Sequence, residues 1–166
     1  MQSLDLPLEP RKQVLAREEG EAFLTRMRTF LMEQRTLILG TCQESVPTCN
    51  LMSFALVPGR FSLVMVTPNK SRKSNTLRRN GNVSLLVVDQ AALAQDLKNG
   101  TAVTLNGRAR EVFDQERLDL EEIFIARNPN LEAFARNDQS DVFCIDIHHL
   151  VAVTNFQELT ELALPG

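Results

Sequence analysis

The sequence predicts a mainly β chain of the α+β class, built on an antiparallel sheet that is closed or nearly closed and flanked by helices. Three observations carry that expectation. About six or seven short apolar or alternating segments recur along the chain, and the helical stretches among them never settle into the regular β-α-β-α order of a parallel sheet. A length of 166 residues with 43% hydrophobic content encloses one core and is too short for two ordinary domains.

Taken in order, Met1 to Glu19 is mixed-charge with Pro7 and Pro10, and residues 1–20 read as a leader or a strap ahead of a single domain at 21–166. From Glu21 to Gln34, Phe23, Met27, Phe30 and Leu31 fall at helical spacing with Arg26, Arg28 and Glu33 between them, an amphipathic helix with one buried face. Thr36 to Thr41 is short, β-branched and apolar, the first core strand. Gln43 to Val46 has turn composition, Pro47 to Leu56 runs extended, and Pro58-Gly59 turns the chain back into Phe61 to Thr67. After Pro68-Asn69, Ser71 to Asn80 reads as a short exposed helix with Asn80-Gly81 as a left-handed exit.

Val83 to Val88 is another apolar strand, and Ala91 to Gly100 a connection with room for a helical turn. The clearest alternation follows: Val103, Leu105, Gly107, Ala109 and Val112 against Thr104, Asn106, Arg108 and Arg110, with a slip near Glu111 that reads as a bulge. Asp114 is the expected N-cap of a helix through Ala126, and Pro129 the first turn of another reaching Arg136. Asp141 to Ile147 and Leu150 to Phe156 complete the pattern as two further strands.

Composition removes several function classes. A net charge of −3 lacks the basic excess that a nucleic-acid surface needs, so any anion site is local. No apolar run approaches the roughly 18 residues of a membrane span, and the N-terminus lacks the basic start and apolar stretch of a secretory signal, so a cytoplasmic protein without a membrane partner is expected. Cys42, Cys49 and Cys144 are odd in number and form no C-x-x-C pair, which favours reduced thiols over a disulfide framework or a zinc site. His148 and His149 are adjacent, point to opposite faces on a regular strand, and so cannot share one metal; no metal site is expected. Neither a Ser-His-Asp, H-E-x-x-H or paired-carboxylate arrangement nor a G-x-G-x-x-G or Walker pattern stands out, and no catalytic acid or base is assigned.

One segment looks chemical. Thr67-Pro68-Asn69-Lys70-Ser71-Arg72-Lys73 lies between a strand and a helix, where a helix start offers unpaired backbone N–H groups and the positive end of its dipole. Ser71 can cap the helix or donate its hydroxyl, Thr67 adds a second hydroxyl, and Arg72 and Lys73 bring a bidentate fork and a point charge, a socket for a phosphate monoester. The ordinary alternative is a solvated basic face, since Lys70, Arg78 and Arg79 are close in sequence.

The stretch Leu37 to Asp89, with its strand, Pro47, strand, turn, Thr67-x-x-x-Ser71-Arg72-Lys73, Asn75, Leu77, Arg78 and the strand Val83-Ser84-Leu85-Leu86, resembles the pyridoxamine 5′-phosphate oxidase-like FMN-binding split β-barrels. The likeness continues through Thr104-Leu105-Asn106-Gly107-Arg108-Ala109 and ends near Phe156. It implies an antiparallel split β-barrel with flanking helices at 21–166 and FMN as cofactor, its phosphate on Thr67, Ser71, Arg72 and Lys73. Val66 is implied beside the flavin, and Asn50, Leu51, Met52 and Ser53 along the isoalloxazine and ribityl chain. It further implies a homodimer with the flavin at the subunit interface, for which Asn155-Phe156-Gln157 is a candidate partner region.

The oxidase has Arg at the position of Asn50 and Lys near Ala55, so less positive charge is expected near the ring and phosphate here, and it has Gln near Ala102. The chain also finishes at Ala163-Leu164-Pro165-Gly166 without the oxidase's Arg-x-His element, and oxidation of pyridoxamine phosphate itself is not expected. Three functions remain compatible with these residues. They are an FMN-dependent oxidoreductase working on a small-molecule electron donor and acceptor, a non-catalytic flavin- or haem-binding sensor or carrier, and an interaction module that keeps the fold without the cofactor.

Overall fold

The computed structural model describes residues 11–15, 17–89, 91–92, 100–155 and 158–164. The first ten residues of the expected leader, most of the Ala91 to Gly100 connection, Phe156-Gln157 and the final Pro165-Gly166 lie outside the described residues. The elements are β1 (Arg11–Val14), α1 (Arg17–Glu33), β2 (Thr36–Gln43), β3 (Val46–Ser53), β4 (Ala55–Leu56), β5 (Ser62–Pro68), α2 (Arg72–Arg79), β6 (Asn82–Val88), β7 (Ala102–Glu111), α3 (Asp114–Arg127), a 3₁₀ turn (Pro129–Leu131), α4 (Glu132–Ala135), β8 (Ser140–Thr154) and β9 (Glu158–Ala163).

The strands run in the order β1-β9-β8-β7-β6-β2-β3, while β5 pairs with β8 and β4 with β5. Every pairing is antiparallel except the parallel contact of β1 with β9. Strand β8 carries this arrangement. Its first half binds β5, its second half binds β9, and β7 lies along its other edge, so the sheet curls into a half-barrel flanked by helices. The expected antiparallel split barrel is what forms.

Two cores explain the strand patterns. Leu63 and Met65 of β5 and Phe143 and Ile145 of β8 face the barrel interior, with Leu39, Leu85 and Leu105, and one face of α1 (Phe23, Met27, Leu31) closes it. The alternate residues Val64, Val66, Val142 and Cys144 face outward into a second core with Leu120, Phe124 and Ile125 of α3. A strand covered on both faces has no polar side, which is why β5 reads as a continuous apolar run. Full burial of each such side chain stabilises by about 1.5–3 kcal/mol.

Several local expectations change. The expected strands Asp141 to Ile147 and Leu150 onward are one 15-residue strand that ends at Thr154, because the register shift opposite Asn106/Gly107 absorbs the His148-His149 step instead of ending the ladder. The irregularity therefore lies at Asn106/Gly107 and not near Glu111. Asp114 has φ 51° and begins α3 itself; Phe113 takes the cap position and makes no side-chain cap bond. Phe54 divides the expected Pro47 to Leu56 strand: its side chain enters the main core, and its carbonyl accepts from Asn128 Nδ2 at 3.2 Å. Asn80 is extended (φ −138°, ψ 102°), so α2 has no left-handed exit. β1 falls within the expected leader, and β9 has no counterpart in the sequence reading. No helix among the described residues is long and apolar enough to cross a membrane.

Candidate functional site

The start of α2 is built by its own sequence. Ser71 takes the N-cap with extended backbone, and its Oγ accepts from Ser74 N at 3.1 Å, satisfying one of the orphan amides of the first turn. Thr67, at the end of β5, places Oγ1 3.2 Å from Ser71 Oγ. The backbone amides of Arg72 and Lys73 have no partner among the described residues, which leaves two aligned donors beside two hydroxyls.

Facing them is a pocket of about 240 Å³, whose α2 side is Ser71, Arg72, Lys73 and Thr76 and whose sheet side is Thr41, Thr48 and Asn50. Arg72 is exposed and donates from Nη2 to Thr48 Oγ1 at 3.3 Å, so it already leans across the pocket mouth. Lys73 is half-buried and makes no hydrogen bond or ion pair among the described residues, and burial alone pushes its ammonium pKa below the ordinary lysine value. A desolvated cation without a counter-charge, next to free amides, favours an anion.

Of the residues expected to hold a cofactor, Asn50, Ser71, Arg72 and Lys73 line this pocket, and Thr67 lies one hydrogen bond behind it. The others do not share it through their side chains. Val66 is buried in the second core and Met52 in the main core, while Leu51 is 68% exposed on the outer face of β3 and Ser53, by strand alternation, shares that face. Thr41, Thr48 and Thr76 escaped the sequence reading. Two-residue alternation back from Asn50 points to Thr48, and Thr41 is its cross-strand partner, while Thr76 lies one helical turn beyond Arg72.

A larger cavity of about 440 Å³ opens between α1, the Phe54–Pro58 segment and α3. Its two guanidinium groups are engaged, Arg28 over the Phe61 ring at 5.2 Å and Arg127 with the Met32 and Gln34 carbonyls. Its remaining lining is largely apolar, so it is poorly suited to an anion. No cluster of three or more potential metal ligands occurs among the described residues. His149 contacts Glu161 at 2.7 Å, and His148 is exposed beside the bulge.

An antiparallel half-barrel with flanking helices is a split-barrel fold, and comparison with known proteins agrees. The model of the pyridoxamine 5′-phosphate oxidase family matches residues 23–153, and the chain belongs to that family. No curated protein matches significantly. Among solved structures, a haem-binding protein from Mycobacterium smegmatis superposes with a TM-score of 0.75 at 16% identity, over 91% of this chain and 60% of that one. The chain thus spans only 60% of the length of the mycobacterial protein. HutZ, the haem storage protein from Vibrio cholerae, gives 0.63 at 16% identity, covering 74% of this chain and 88% of that one. A putative pyridoxamine 5′-phosphate oxidase from Listeria innocua gives 0.59 at 21% identity, covering 77% and 95%. At these identities the likeness is one of fold.

Proposed function

We propose that this protein binds FMN, gripping its terminal phosphate between the start of α2 and the Thr48–Asn50 face of β3, and that it serves as a flavin-dependent oxidoreductase. The observation that carries this reading is the half-buried Lys73 ammonium, unpaired among the described residues and facing a pocket with two hydroxyls and two free amides at hand. When bound, the flavin supplies the electron-transfer chemistry. The residues of this chain hold the phosphate, fix its register against α2 and keep the ribityl end against β3.

A pocket of about 240 Å³ is smaller than the roughly 300–1,000 Å³ of a drug-sized ligand site, so it takes the phosphate end and leaves the ring beyond the edge strand. A second copy of the chain completes the site in this reading. Leu51, Ile38 and Leu86 stand in register across β3, β2 and β6 and are 68%, 37% and 36% exposed, an apolar row suited to that copy. Leu51→Arg is expected to convert a dimer into a monomer in sedimentation analysis; a parent that sediments as a monomer contradicts the shared site.

Adding FMN to flavin-free protein is expected to quench flavin fluorescence saturably and to shift the visible flavin bands. The same titration across pH carries a sign. The phosphate gains its second charge near a pKa of about 6, so affinity rises through that value. In the free protein Lys73 titrates below the ordinary lysine value, whereas a bound dianion raises it. Affinity is therefore highest between the phosphate value and the free-protein pKa of Lys73, and falls as pH climbs from the free to the bound value of Lys73. Absence of saturable FMN binding at neutral pH overturns the reading.

A second reading, haem binding, draws on the haem-binding protein of Mycobacterium smegmatis and HutZ. It needs an axial ligand, and His149 is the half-buried candidate once released from Glu161. A Soret band that forms stoichiometrically with haemin and disappears in His149→Ala, together with no FMN binding, selects it.

A further inference from the structure

Arg78 lies near the C-terminal end of α2, outside the lining of the pocket, and its guanidinium is fully committed. Nε donates to Glu111 Oε2 at 2.7 Å and Nη2 to Glu111 Oε1 at 3.4 Å; Nη2 also bonds Asp141, and Nη1 donates to the Asn69 carbonyl at 3.2 Å and to Asn75 Oδ1 at 3.3 Å. All five N–H directions of the fork are used. It therefore has no donor left for a ligand.

Its anchors converge on the phosphate turn. Asn69 is inside that turn. Asp141, buried on β8, is the cross-strand partner of Thr67 and accepts from Ser74 Oγ, and Ser74 is the residue whose amide is held by Ser71 Oγ. Glu111 ends β7, so one guanidinium ties the turn and α2 to two neighbouring strands of the barrel. Aligned amides and hydroxyls grip a phosphoryl group only if their mutual geometry is preset, since tenths of an ångström decide a charge-assisted hydrogen bond.

We propose that Arg78 and Asp141 are positioning residues of the phosphate socket: they touch no ligand, yet they hold Thr67, Asn69 and the first turn of α2 in the arrangement that accepts a terminal phosphate. This rests on the FMN reading above. Lysine cannot replace the arginine, because a point charge on a flexible stem reaches one or two of these acceptors and not all of them at once. Riboflavin, which has the same ring and ribityl chain without the phosphate, does not sample the socket and reports on the rest of the site.

The test is the ratio of FMN to riboflavin affinity, measured by flavin fluorescence with the full chain, alongside a thermal melt. The parent is expected to prefer FMN by about a hundredfold or more. In Arg78→Lys, FMN is expected to weaken about tenfold with riboflavin unchanged, so the ratio collapses. Asp141→Asn keeps the shape, removes the charge that Arg78 answers, and is expected to move the ratio the same way, which preserves the test if Arg78→Lys does not fold. Folded variants that retain the parent ratio overturn the positioning role alone. Equal weakening of both flavins also overturns it, because general loosening gives that result. A parent that does not distinguish the two flavins overturns the FMN reading and the positioning role with it.

Discussion

Replacing Arg72 and Lys73 together by alanine is expected to weaken FMN by about a thousandfold while leaving riboflavin affinity and the fold nearly unchanged. Each hydrogen bond to a charged group is worth roughly 1.5–3 kcal/mol, and every 1.4 kcal/mol is about tenfold, so two lost cationic partners account for that size. The fold has little to lose. Arg72 is exposed and bonded only to Thr48, and Lys73 is a half-buried cation whose desolvation is uncompensated until an anion arrives. Fluorescence titration of both flavins, with a melt of each protein, checks the result. An unchanged FMN affinity in the folded double variant would mean that the phosphate is held elsewhere.

Gly81→Ala is expected to cost about 3 kcal/mol, the upper end for overpacking a tight site, and to lower Tm by roughly 6–12 °C for a chain of this size. A Cβ at Gly81 would stand 2.4 Å from the Ala109 carbonyl oxygen, while the Gly81 carbonyl already accepts from Ala109 N at 2.7 Å. Both contacts are backbone, so no side chain can swing aside, and relief requires parting the start of β6 from β7. Because the preceding residue, Asn80, is the C-cap of α2, the disturbance passes to the helix that begins with Arg72 and Lys73. Asparagine, which tolerates left-handed backbone, is expected to be as harmful as alanine, since only Gly59 among the described glycines has positive φ. Urea unfolding midpoints for the two variants decide this; parent-like midpoints contradict the close-approach account.

The capped start of α2 was legible because it is local. Thr67, Ser71, Arg72 and Lys73 span one turn and the first residues of a helix, and the capping chemistry of Ser71 with the free amides behind it follows from their order along the chain. Arg78 shows where that reasoning stops. By composition it belongs to a solvated basic face with Lys70 and Arg79, yet its partners Glu111 and Asp141 lie 33 and 63 residues away in the chain. Of the segment Asn50 to Ser53 that the family resemblance implied, only Asn50 lines the pocket, because strand alternation sends Met52 inward to the core and Leu51 out to the opposite face. The two apparent strands after Asp141 are one because a neighbouring strand, with its own register shift, carries the ladder across His148-His149.

By itself the sequence determined the class of fold, the apolar periodicity of α1 and of the strands, and the identity and order of the Thr67–Lys73 turn, because each depends on residues within a few positions of one another. Only the tertiary structure decided which face each strand residue serves, that Gly81 answers a neighbouring carbonyl and not a left-handed bend, and that Arg78 braces the turn from behind. Those outcomes depend on strand pairing and helix docking, which bring together atoms that no local pattern relates.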